Sequence, residues 1–136
     1  MTNDTANCDL QHFNKLSEKF GIHFSDKARN MVKNNEFETG AVYNTTANPV
    51  FTKTKKMYLK EISVPEVKAP AKALITQDGD VIIATAKFGK GTVFAVGDPW
   101  LYNEYVDGRK LPLEFENYKA AHDLVRWAIA RSGNKK

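Results

Sequence analysis

Residues 88–103 read FGKGTVFAVGDPWLYN, and the reading of this stretch decides the fold. Phe88-Gly89-Lys90-Gly91 has the composition of a tight turn. Thr92 to Val96 then run almost continuously apolar, which predicts a central strand with neighbours on both sides. Gly97 closes that strand, and Asp98-Pro99 opens a loop rich in aromatic and polar residues. Sites in α/β folds form beyond the carboxyl ends of strands. Asp98, Trp100, Tyr102 and Asn103 are therefore candidate ligand-binding residues. Each also has a structural reading: Asp98 caps the turn at Pro99, and Trp100 covers the end of the core.

Working outward, strands dominate residues 51–97. Asp78-Gly79 between apolar runs is a hairpin signal. Val81 to Ala86 and Ala71 to Thr76 flank it as strands. Met57, Leu59 and Ile62 mark another strand, broken before Pro65. Towards the N-terminus, Leu10, Phe13, Leu16 and Phe20 recur at helical spacing, so a helix is predicted over about 8–20. Asn7 is its expected N-cap and Gly21 its stop. Ile22 and Phe24 suggest a short strand. Residues 25–32 read as a helical turn, 33–50 as loop with a possible strand at 37–43, and Asn48-Pro49 as a turn. Beyond a long connection at 98–116, Asn117 is the expected N-cap of a helix over about 117–131. Its apolar stripe is Tyr118, Ala121, Leu124, Val125, Ala128 and Ile129. The two helices are expected to pack on the sheet through Phe13, Leu16, Leu124 and Val125. Residues 1–132 are expected to form one α/β domain, with a disordered tail at 133–136.

A chain of 136 residues, 42% of them apolar, fits one domain with a real core. The net charge of +4 raises the question of an anionic polymer partner. Lys53, Lys55, Lys56 and Lys60 form the densest basic group, but Glu61 and Glu66 follow closely, so a solvated edge explains them better. No nucleic-acid partner is expected. No apolar run approaches the roughly 20 residues of a membrane span, and none is expected. Cys8 stands alone, which excludes an internal disulfide and a cysteine metal cluster. His12, His23 and His122 show no metal-ligand spacing, and the Gly89-x-Gly91 pair precedes a strand, where phosphate-cradling geometry is absent. No metal or other cofactor is expected.

Three stretches together resemble a family: TNDTANCDLQHFN (2–14), KFGKGTVFAVGDPWLYNEYVDGRKLP (87–112) and NYKAAHDLVRWA (117–128). They resemble the amidotransferase-like domain towards the C-terminus of bacterial unsaturated rhamnogalacturonyl hydrolases and related glycoside hydrolases. The resemblance implies an α/β fold: a mixed sheet of about five or six strands flanked by two long helices, like part of a class I glutamine-amidotransferase-like (flavodoxin-like) domain. It also implies the later part of a larger domain, or a domain cut from a longer hydrolase whose catalytic barrel lies elsewhere. The partner is then that catalytic domain, with oligosaccharide as a further ligand, in a periplasmic or extracellular setting. Enzymatic amidotransferases use a cysteine–histidine pair at a strand–helix elbow. Cys8 sits at no such elbow, and His12 follows it on the same helix.

The expectation is a non-catalytic accessory domain. Its candidate ligand-binding residues are Asn3, Asp4, Asp98, Trp100, Tyr102 and Asn103, since amide and carboxylate groups bond sugar hydroxyls and aromatic faces stack on sugar rings. Two alternatives stand beside it. One is a small hydrolase using acids near Asp98, drawn from Asp4, Asp98, Glu104 and Asp107. The other is an anionic-polymer binding module using the lysines.

Overall fold

The computed structural model describes residues 2–98, 101 and 105–132. Seven strands lie between two helices: α1 (Leu10–Ser17), β1 (Ile22–Arg29), β2 (Ala41–Tyr43), β3 (Lys56–Tyr58), β4 (Ile62–Val67), β5 (Ala71–Gln77), β6 (Asp80–Phe88), β7 (Gly91–Val96) and α2 (Asn117–Ser132). They form three small antiparallel sheets, β1-β4, β2-β3 and β5-β6-β7.

This overturns the expected flavodoxin-like α/β sheet with two long helices. Parallel strands need crossovers of a dozen or more residues, usually helical. No α-helix lies between β1 and β7, and the connections β4–β5, β5–β6 and β6–β7 are only two or three residues long. α1 is also shorter than expected: it gives way at Glu18–Phe20 to a 3-10 turn that ends on Gly21 in the left-handed region, φ 78°. Its N-cap is Asp9, which accepts from the His12 N–H, rather than Asn7.

Local chemistry explains the hairpins. Asp78 and Gly79 both have positive φ, as a type I′ turn requires, and Arg29 grips that turn through Asp78, Asp80 and the Gln77 carbonyl. Gly89 (φ 57°) turns β6 into β7. β1 runs on through Arg29 instead of becoming helical at Ser25. Its second half pairs with Ile62 and Ser63 beyond an irregularity between Phe24 and Ala28. Pro65 does not break β4; it lies opposite Phe24, where the ladder becomes irregular. β7 is hydrogen-bonded only to β6 within its sheet, so the expected central strand is an edge strand.

The sheets meet at close quarters. Ser63 N–H donates to the Gly97 carbonyl at 3.3 Å, and a Cβ at residue 97 would lie 1.9 Å from the Ser63 oxygen. Only glycine fits there. Alternate β7 residues join different cores. Phe94 and Val96 face a cluster with Phe51, Met57, Leu59, Ile62, Ile83 and α2's Ala120 and Leu124. Val93 and Ala95 face one with Leu10, Phe13, Ile22, Phe24 and Ala84. Leu124 is buried as expected, but Leu16 is 55% and Val125 44% exposed, so neither anchors its helix.

Each helix is instead pinned by one buried asparagine. Asn14 on α1 accepts from the Phe24 N–H and donates to the Phe24 carbonyl, both at 2.8 Å. Asn117 on α2 does the same to Tyr58, at 2.7 and 2.9 Å. Asp123 closes residues 53–54 by accepting from the backbone N–H groups of Lys53 and Thr54 and from the Thr54 hydroxyl. Burial works to raise its pKa, but these bonds win and hold its carboxyl below the usual aspartate value.

Truncating Leu124 to alanine should cost about 2–5 kcal/mol in urea unfolding, whereas Val125→Ala should cost under about 0.5 kcal/mol. Equal losses would contradict this packing. Asn117→Asp keeps the shape but faces the Tyr58 carbonyl with a second acceptor. It should destabilise by about 2–4 kcal/mol, more than Asn35→Asp at an exposed loop position.

Candidate functional site

The corner beyond β7 is assembled from two segments. The Thr2 N–H donates to the Val96 carbonyl at 3.2 Å, which lays the N-terminal segment beside the end of β7. This brings Asn3 and Asp4 to the strand end that carries Asp98. Trp100, Tyr102 and Asn103 lie outside the described residues, as does the expected tail at 133–136.

The described members of the corner face inward. Asp4 is buried, and its Oδ1 accepts from both the backbone and the side-chain nitrogen of Asn7, at 3.1 and 2.7 Å. Its carbonyl accepts from Asn7 and Cys8 N–H. Asn3 Oδ1 accepts from the Asp4 N–H. These bonds close a turn ahead of α1. Asp98 exposes no surface at all. It lies near Tyr58, whose phenol is pushed up to about 12, first by burial and then by the fields of Tyr105, Asp98 and Glu61. The Tyr58 and Tyr105 rings are 5.0 Å apart. Asp98 is thus a wholly buried polar group close enough to Tyr58 to act on its phenol, and Tyr58 packs with Tyr105 and Phe115 in one aromatic cluster.

The remaining acid of the candidate hydrolytic set that is described is Asp107. It is exposed and paired with Arg109, and that pairing lowers its pKa. A carboxyl so held is a poor proton donor at neutral pH. Cys8 and His12 do not pair. The Thr2 hydroxyl donates to Cys8 Sγ at 2.8 Å, and His12 Nδ1 lies 2.6 Å from Asp9 Oδ2. Among the described residues, no group of three or more histidine, cysteine or acidic side chains could hold a metal ion.

The lysine group is split. Lys56 bonds Glu38 at 2.6 Å and lies 4.3 Å over the Phe115 ring; the Glu38 bond raises its pKa. Lys60 pairs with Glu61 at 3.5 Å. Neither is an uncommitted cation on an open face. No helix among the described residues is long and apolar enough to cross a membrane.

Among the cavities away from the corner, two border β7 or α2. One of about 400 Å³ is lined by Val50, Thr52, Arg126, Trp127, Ile129 and Arg131. Another of about 140 Å³ runs between Phe13, Leu16 and Phe20 of the α1 segment and residues 93–95 of β7. Sequence reasoning expected Asn117 only as a helix cap and did not anticipate its hold on Tyr58, nor the roles of Asn14 and Asp123. One signal was present for Asn14: it falls four residues after Leu10 and three before Ser17, on what proves to be the buried face of α1. Compared with known proteins, the chain matches no family model, no curated protein and no solved structure.

Asp98→Asn removes a negative charge near Tyr58 and should lower the phenol pKa. The value should stay above 10, because burial is the larger cause. A pH titration of tyrosine Cζ resonances reads this directly. A Tyr58 unmoved by the substitution would mean that residue 98 carries no charge beside it.

Proposed function

We propose that this chain is a non-catalytic accessory domain of a polysaccharide-degrading glycoside hydrolase, one that acts on pectin or rhamnogalacturonan. Its role is to pack on the catalytic domain of the same polypeptide and to contact oligosaccharide, in a periplasmic or extracellular setting. The resemblance of residues 2–14, 87–112 and 117–128 to hydrolase accessory domains supports the setting. One observation carries the non-catalytic reading. The described polar residues at the corner serve the fold: Asn3 and Asp4 close a backbone turn, Asp98 is wholly buried, and Cys8 is bonded to Thr2 instead of a base. A nucleophile or general acid needs an accessible side chain aimed at a reacting atom.

Outward, the domain offers apolar groups suited to a protein neighbour. Tyr118, Val125 and Ile129 recur on one face of α2, and all three are exposed. The reading invokes neither nucleic acid nor membrane.

The purified chain should show no turnover of pectin-derived oligosaccharides above buffer. If it binds them, amide shifts should cluster at residues 2–8 and 96–98. Turnover that is abolished by Asp98→Asn or Cys8→Ser would overturn the non-catalytic reading. Shifts confined to residues 53–60 would favour the anionic-polymer alternative.

A further inference from the structure

β7 has the sequence of an interior strand and the position of an edge strand. Its opposite number in the same sheet, β5, is protected as edges usually are. It carries an exposed lysine, Lys72, and two breaks in register, between Ala73 and Ile75 and between Ile75 and Thr76. β7 has no such device. Residues 92–96 contain no proline and no charge, and the ladder to β6 is regular from end to end.

The open backbone groups can be identified. The turn at Gly89-Lys90 makes Phe88 and Gly91 a hydrogen-bonded pair, so Val93 and Ala95 also bond inward to β6. Thr92, Phe94 and Val96 therefore present their N–H and C=O groups outward. The bond from Thr2 N–H to Val96 O confirms this phase and fills one of those positions. The groups of Thr92 and Phe94 have no partner among the described residues.

Apolar surface overhangs this edge on both faces. On the α1 side, the 140 Å³ groove is walled by Phe13, Leu16 and Phe20, with Leu16 more than half exposed. On the α2 side, Phe94 meets Trp127 edge-on at 6.3 Å, and Trp127 lines the larger cavity with Ile129, which is 64% exposed. The indole Nε1 of Trp127 is buried and has no hydrogen-bond partner among the described residues. Charge on the α2 side of the slot is net positive, two arginines against one aspartate that lies 4.0 Å from Arg126. Arg126 and Arg131 line the α2-side cavity, and the only acid there, Asp123, is committed to the backbone of residues 53–54. Lys90 stands exposed at the hairpin tip.

We propose that the β7 edge is a docking slot for an extended segment, apolar on both faces and flanked by carboxylates, that adds as a fourth strand beside Thr92–Ala95, short of the Val96 carbonyl that Thr2 takes. Backbone pairing supplies the register, and alternate side chains enter the grooves under α1 and beside Trp127. The positive rim favours acidic flanks. It also disfavours a second copy of this chain, since two-fold pairing of β7 with itself sets Arg126, Arg131 and Lys90 of both copies around one seam. The inference stands apart from the proposed function, because an unprotected strand edge calls for a strand whatever the parent protein does.

The test uses the full isotope-labelled chain and a blocked heptapeptide, Glu-Val-Leu-Val-Ile-Val-Glu. Saturating peptide should slow amide exchange at Thr92 and Phe94 by at least about tenfold and shift the Trp127 indole resonance. The same peptide N-methylated at alternate residues should fail to do so. Thr92→Pro removes an outward N–H without touching the β6 ladder, and it should weaken binding by about tenfold if the variant keeps the native spectrum elsewhere. Exchange at Thr92 and Phe94 that is unchanged at millimolar peptide overturns the proposal. So does protection that is present without peptide and is lost on dilution as a sedimenting dimer dissociates, for then a second copy fills the slot.

Discussion

The primary amide of asparagine carries a donor and an acceptor in nearly the geometry of a peptide group, and this fold depends on that likeness. Asn14 and Asn117 each take both backbone groups of one strand residue, Phe24 and Tyr58. Three short sheets leave many strand flanks, and a flank buried under a helix must find partners or lose about 1–3 kcal/mol per group. An apolar helix face supplies attraction but no partners. One amide per helix supplies the partners and also fixes the helix in rotation and translation, because the paired bonds tolerate little sliding. Loop residues repeat the device. Asn30 bonds the Leu59 carbonyl, Asn44 the carbonyls of Phe51 and Thr54, and Asn48 the N–H groups of Val50 and Phe51. The asparagine-rich stretch that reads as shapeless loop is a set of side-chain substitutes for strand pairing.

This explains how the helices can be anchored by so few large apolar residues. The buried face of α1 is Leu10, Asn14 and Ser17, not the Leu10–Leu16 stripe that helical spacing suggests. Phe13 and Phe20 are half-buried beside it, and Leu16 lies outside. Counting apolar residues finds the helix but misplaces its inner face by one position after Leu10, because the count treats Asn14 as a surface residue. The same error sends Val125 inward when Asp123 is the residue that is buried. Both misreadings follow from a rule that buried means apolar, which fails where a polar side chain is fully paired.

Local signals were legible in the sequence where the chemistry is local. Asp78-Gly79, Gly21 and Asn48-Pro49 each demand a particular backbone, and each is found as read. Pairing was not legible. β1 and β4 meet across some forty residues, with the β2–β3 pair inserted between them, and nothing local in residues 25–29 marks them as strand. The candidate corner shows the same division. Sequence places Asp98 just past a strand and Asp4 near a helix start. It cannot say whether a carboxylate faces a ligand or its own main chain. Geometry shows Asp4 turned to Asn7 and Asp98 buried near Tyr58.

The reading of β7 failed in a more instructive way. Its residues predict an interior strand because both faces are apolar, and both faces do meet apolar clusters. The inference from side chains was sound, and what it could not supply was a neighbour for the backbone. An interior pattern at an edge leaves part of a strand's hydrogen bonding and part of its apolar burial undone. A segment that completes both binds the folded chain and not the unfolded one, so its binding energy adds to folding stability in proportion to the logarithm of its concentration. The exposed Leu16 and Ile129, and the Trp127 indole and outward groups of Thr92 and Phe94 that lack partners among the described residues, then have one physical cause. Each lies where a fourth strand would meet it, three beside its faces and two along its backbone.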